Sequence, residues 1–213
     1  MKVNKNNIPF FVLIIMIIGF FISCQSDKGK LIDNPATLKQ YCNNSDNGLI
    51  KKKDIENISI IVKYRPTDFM VANELRNKKV TNKVVDSLRK IYSTSYYFIL
   101  EIMYNTKNSA IEGPLYGNSI SYQEYAKKVS ELSFDFQNKV YLVSGKDTVK
   151  PVLHSFERGY ELENKETILL CFQGDIKNDS VKFCYYDDLF GTGMNQFQFV
   201  LDKEKLPKLN NIN

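Results

Sequence analysis

The chain has 213 residues, with 29 basic and 24 acidic side chains, one histidine, four cysteines and no tryptophan. A net charge of +5, drawn from a nearly balanced mixture of signs, is too weak for a nucleic-acid-binding surface. A lone histidine also excludes any multi-histidine metal centre.

Residues 1–7 are polar and carry Lys2 and Lys5 without an acid. Residues 8–22 form a 15-residue apolar run, with Pro9 near its start and Gly19 near its end. A helix that crosses the hydrocarbon layer needs about 20 residues, so a secretory signal peptide is the better reading. The lysines ahead of the run favour keeping that end in the cytoplasm. The apolar run closes on Phe21-Ile22-Ser23-Cys24, and the chain turns polar at Gln25. That tetrapeptide resembles the lipobox of bacterial lipoproteins. Ser23 is the kind of small residue the family places there, while Phe21 stands where leucine is usual. The resemblance implies cleavage before Cys24, acylation of its thiol with palmitate-type chains, and anchorage in the envelope. One chain anchors marginally, and two or three hold firmly. Gln25 is not the aspartate that retains such proteins in the inner membrane, so the resemblance favours the outer membrane. The expected organisation is a signal peptide over 1–23, a lipid-anchored tether over 24–33 and one domain over 34–209. The 190 residues after the signal peptide suffice for a single core. They hold 27 basic and 24 acidic side chains, and the net charge falls to about +3.

Asn34-Pro35 supplies a cap and a first-turn proline, and Leu38, Tyr41 and Cys42 recur at helical spacing, which predicts a helix over 35–42. Residues 43–48 are a turn cluster, and Lys51-Lys52-Lys53 reads as a solvated loop. Alternation predicts a strand over 58–64; Pro66 interrupts it, and residues 69–75 read as a second strand. Val84, Val85, Leu88, Ile91 and Tyr92 share one helical face over 82–92. Tyr96, Phe98, Leu100, Ile102 and Tyr104 make the clearest strand. After a loop over 106–119, Ser121 and Glu124 form a capping box for a further helix. Strands are expected at 134–136, 140–143, 148–154, 167–172, 181–186 and 196–201, with a frayed tail from Leu206. The pattern points to a mainly β chain: an immunoglobulin-like β-sandwich with two or three short helices, rich in Tyr and Phe.

Leu38-Lys39-Gln40-Tyr41-Cys42, Asn47-Gly48-Leu49, Lys63-Tyr64-Arg65-Pro66 and Asp188-Leu189-Phe190-Gly191-Thr192-Gly193 resemble a group of small lipoproteins of uncharacterised function. This second resemblance implies the lipoprotein class and carries no activity with it.

Cys42, Cys171 and Cys184 follow Cys24, an odd number that leaves at least one thiol free or paired between chains. A two-residue turn at Lys177-Asn178 would set Cys171 opposite Cys184 in a hairpin, at the roughly 4.5 Å Cα separation that a disulfide tolerates. Two buried free thiols are the alternative. Asn43, Ser45, Asn47, Gly48 and Asp54 echo the spacing of a calcium loop, but the ligands are mostly neutral and three lysines precede Asp54. His154 lacks a nucleophile elbow beside it, and Asp187-Asp188 fits a hairpin loop whose acids face water. Tyr96, Tyr97, Tyr116 and Tyr122 could form an aromatic platform, although their spacing suits core packing. No metal or cofactor motif is present. The expected function is a non-enzymatic binding or assembly module, held to the membrane through lipid on Cys24 and partnered by another envelope protein. The alternatives are an envelope hydrolase using Asp187, Asp188 or His154, and a surface module that binds a ligand in an aromatic cleft.

Overall fold

Alternating large apolar side chains organise two open antiparallel sheets in a computed structural model that describes residues 29–75, 81–105, 114–117, 119–158, 164–174, 176 and 178–210. The strands are β1 (Leu31–Ile32), β2 (Ile50–Ile55), β3 (Ile58–Arg65), β4 (Ser95–Tyr104), β5 (Val140–Ser144), β6 (Asp147–Val149), β7 (Pro151–Glu157), β8 (Lys165–Gln173), β9 (Ser180–Asp187), β10 (Gly193–Val200) and β11 (Lys208–Leu209). One sheet has the order β2-β3-β4-β8-β7 and the other β10-β9-β5-β6. Val62, Leu100 and Ile168 stand in register across the first, and Leu142, Phe183 and Phe197 across the second. The two inner faces meet through aromatic rings. Phe98 lies 5.3 Å from Phe183 and 5.4 Å from Phe199, and Phe172 lies 6.2 Å from Phe183. Edge-to-face and tilted ring pairs of this kind add to the energy of burial itself.

Four helices of nine residues or more are described, where the sequence suggested two or three: α1 (Pro35–Asn43), α2 (Thr67–Leu75), α3 (Asn82–Tyr92) and α4 (Tyr122–Ser130), with a single helical turn at Pro114–Gly117 besides. Asn34 caps α1 by accepting from Ala36 N at 2.7 Å. Ser121 caps α4 by accepting from Glu124 N at 3.2 Å, and the Glu124 carboxylate reaches back to Ile120 N at 3.0 Å. The reciprocal bond thus forms one residue earlier than a capping box prescribes.

Several expected elements differ. Residues 69–75 are helical: Pro66 O accepts from Phe69 N and Met70 N, and Phe69, Ala72 and Leu75 are buried at a spacing of three. The apolar Val71 between them hid that period. Residues 134–136 continue the turns that follow α4 and bury Phe136. The expected strand over 148–154 breaks at Lys150 into β6 and β7, which belong to different sheets. Lys51-Lys52-Lys53 lies on the edge strand β2, where lysines discourage pairing with another chain. The tail is folded: β11 pairs in parallel with β1, and Ile32 and Leu209 are both buried. The folded unit therefore includes the last residues assigned to the tether. Helices α1 and α2 pack against each other and against β11, and α2 packs against α3.

Candidate functional site

β3 ends at Arg65 and β4 begins at Ser95, and the segment that follows β10 lies against this end of the sheets. Between them is a cleft of about 370 Å³. Tyr64, Pro66 and Tyr96 line it from the sheet, and Leu201, Leu206 and Pro207 from the C-terminal segment. A second hollow of about 420 Å³ continues from it, since Tyr96, Leu201 and Lys203 border both. Ile176, Asp179, Asp202 and Glu204 complete the second hollow.

Strand alternation explains the wall. Tyr64 points to the inner side of β3, with its ring 5.1 Å from Phe98, and only 4% of its surface is exposed. Burial pushes its phenol pKa upward, so the group stays a neutral donor. Its hydroxyl makes no hydrogen bond to any described residue and opens onto the cleft, where solvent reaches it.

The floor is held by a partly buried ion pair. Arg89 Nε donates to Asp68 Oδ1 at 3.0 Å and Nη2 to Oδ2 at 2.7 Å, in a two-pronged contact. Asp68 Oδ2 also accepts from Leu209 N at 2.6 Å, and Arg89 Nη2 donates to Leu209 O. The hydrogen bonds that Arg89 donates to Asp68 raise the Arg89 pKa above its ordinary value. These two side chains clasp β11 between α2 and α3 and are occupied with each other and with Leu209. Asp202 is likewise occupied, accepting from Glu204 N at 2.9 Å and pairing with Lys205 at 3.6 Å. Lys203 and Lys208 are exposed on the cleft and have no ion-pair partner among the described residues. The cleft therefore combines apolar walls, one unpartnered hydroxyl and two exposed cations.

The residues singled out in the sequence do not gather here. Cys24 lies outside the described residues. The hairpin that would have joined Cys171 to Cys184 does not exist, because β8 pairs with β4 and β7 while β9 pairs with β5 and β10. Leu170 and Phe172 point inward from one sheet and Phe183 and Tyr185 from the other, so the two sulfurs occupy opposite outer faces. Both are free thiols, as is Cys42.

Asp187 is buried and does not face water as expected. Its Oδ1 accepts from Tyr185 Oη at 3.0 Å, Leu189 N at 3.1 Å and Phe190 N at 3.0 Å. Its Oδ2 accepts from Thr192 N at 2.9 Å and Thr192 Oγ1 at 2.6 Å. This carboxylate is the organising centre of the 187–192 turn. Asp188 points outward to Lys139. His154 Nε2 donates to Ser133 O at 3.1 Å, and neither carboxylate is its hydrogen-bond partner.

The spacing that echoed a calcium loop is taken up by local structure. Asn44 caps a helical turn at Ser45–Asn47, Asn47 donates to Tyr41 O at 2.8 Å, and Asp54 sits in β2 beside Lys52. Among the described residues, no group of three or more His, Cys, Asp or Glu side chains is placed to hold a metal.

Of the four tyrosines noted in the sequence, Tyr96 reaches the cleft. Tyr97 packs on Tyr92 at 5.8 Å, Tyr122 stands exposed beside Tyr125 at 6.2 Å, and the side chain of Tyr116 lies outside the described residues. Tyr64, Leu206 and Pro207 were missed. Tyr64 reads as ordinary core by alternation, and the other two fall in the segment taken for a tail.

A scan against protein-family models, a search of curated proteins and a search of solved structures each found no match to this chain.

Proposed function

We propose that this protein is an outer-membrane lipoprotein of the bacterial envelope, tethered through lipid on Cys24, whose domain is a non-enzymatic binding module. The anchor rests on the basic start, the 15-residue apolar run and Phe21-Ile22-Ser23-Cys24. The binding role rests on one observation: the cleft at Tyr64 and Tyr96 is open, while the acid and the guanidinium beneath it are spent on each other. The nominated catalytic residues support the same reading, since Asp187 and His154 are engaged with the turn and the backbone that they hold. The facing sheets support a β-sandwich, immunoglobulin-like in its two antiparallel layers and in the chain crossings between them.

The anchor is tested by feeding cells an alkyne-tagged palmitate and fractionating their membranes. The natural chain is expected to carry label and to sediment with the outer membrane. Cys24→Ala is expected to carry none and to lose that association. A Cys24→Ala chain that still takes the label would overturn the proposal.

A further inference from the structure

We propose that the cleft between Tyr64 and the C-terminal segment binds a small amphipathic monoanion, an apolar aryl or acyl body bearing one carboxylate. The inference rests on reading the domain as a binding module and names the chemistry of what it binds. Three observations define the ligand. First, Tyr96, Leu201, Leu206 and Pro207 make walls that suit an apolar body of modest size, within a cleft of about 370 Å³. Second, Tyr64 is 4% exposed yet its hydroxyl has no partner among the described residues. That hydroxyl opens onto the cleft, where an acceptor atom on a ligand can take the place of water. Because burial keeps the phenol protonated, that acceptor is the ligand's and the donor is the protein's. Third, the charged residues on the cleft sort by availability. Asp68 and Arg89 neutralise each other, whereas Lys203 and Lys208 have no ion-pair partner among the described residues. The charge left for a ligand to meet is positive. Asp179, Asp202 and Glu204 belong to the neighbouring hollow, beyond Lys203, and disfavour placing the anion there. The carboxylate therefore sits between Lys203, Lys208 and the Tyr64 hydroxyl, with the apolar body laid against Tyr96, Leu201, Leu206 and Pro207.

Three probes that share one body separate the contributions: 3-phenylpropionate, 3-phenylpropanol and 3-phenylpropylamine. Each is titrated by calorimetry into the full chain held in lipid nanodiscs, with empty discs as the blank. The expected result is saturable one-to-one binding of the carboxylate, about tenfold weaker binding of the alcohol, and weaker binding still of the amine. Lys203→Glu/Lys208→Glu reverses the charge at exposed positions and is expected to abolish the preference for the carboxylate. Tyr64→Phe removes one oxygen and is expected to weaken the carboxylate about fivefold, the equivalent of one hydrogen bond. Thermal melts confirm that both variants are folded. Equal or tighter binding of the amine, or variants that leave the carboxylate unaffected, would overturn the anion assignment while leaving a binding module. No saturable binding of any of the three probes would overturn the cleft as a ligand site altogether.

Discussion

Replacing Asp187 with asparagine changes almost no volume and tests whether this carboxylate is structural. Five donors converge on it: three on Oδ1 and two on Oδ2. An asparagine can keep its oxygen toward Tyr185, Leu189 and Phe190, but its amide nitrogen then faces Thr192 N, donor against donor. The Thr192 hydroxyl can rotate to accept; its backbone N–H cannot. One unsatisfied buried donor costs about 1–3 kcal/mol, and three charge-assisted bonds weaken to neutral ones. Relief from desolvating a charge offsets part of this. The expected net loss is about 3 kcal/mol, a large fraction of the 5–15 kcal/mol typical of a domain. Urea unfolding followed by circular dichroism measures it, and the melting temperature should fall by roughly 6–12 °C. Asp188→Asn is the control. That side chain is about half exposed, and its pair with Lys139 is worth at most about 1 kcal/mol. If the two substitutions cost the same, or if Asp187→Asn costs under about 1 kcal/mol, the account of the turn is wrong.

Three further outcomes follow from the clasp and the thiols. Asp68→Ala strands the Leu209 N–H and leaves Arg89 only Asp86 and Leu209 O as partners, and should cost about 2–4 kcal/mol, with the amide of Leu209 losing hydrogen-exchange protection well before the centre of β4. Unchanged protection at Leu209 would refute the clasp. Burial pushes the Cys42 thiol up to about 12 from its ordinary 9.0. Because the folded value is the higher, the stabilisation this brings is complete below pH 9 and is lost as pH rises toward 12. Maleimide labelling at pH 8, read by peptide mass, should therefore reach the half-buried Cys171 first and Cys42 last. Stability should decline less between pH 9 and 11 in Cys42→Ala than in the natural chain. Equal labelling rates would show that Cys42 is not enclosed.

Much of the architecture was legible wherever a period ran uninterrupted. β3 and β4 follow from alternation, α3 from one apolar face, and α4 from Ser121 and Glu124. Legibility failed where neighbouring signals conflicted. The apolar run after Pro66 carries no visible period, so Phe69–Leu75 could be strand or helix until its packing partners were known. Three consecutive lysines looked like a loop, yet the sheet accepts them because β2 is an edge. The candidate site was almost illegible. Its unpartnered hydroxyl belongs to a residue that alternation assigns to the core, and its other wall to a segment that has little apolar periodicity.

The amino-acid sequence by itself determined the mainly β character of the domain, and the proposed signal peptide and the resemblance of residues 21–24 to a lipobox rest on it alone. These properties depend on residues within a few positions of one another, through run length, charge order and periodicity. Only the tertiary structure decided that Cys171 and Cys184 lie on opposite faces, that Leu209 is clasped by Asp68 and Arg89, and that Tyr64 meets Leu206 and Pro207 across a cleft. Each joins residues far apart along the chain, or neighbours that a change of sheet separates. Strand pairing selects such contacts from many alternatives of similar local energy, and it is the burial of Phe98, Phe172, Phe183 and Phe199 against one another that makes the selection.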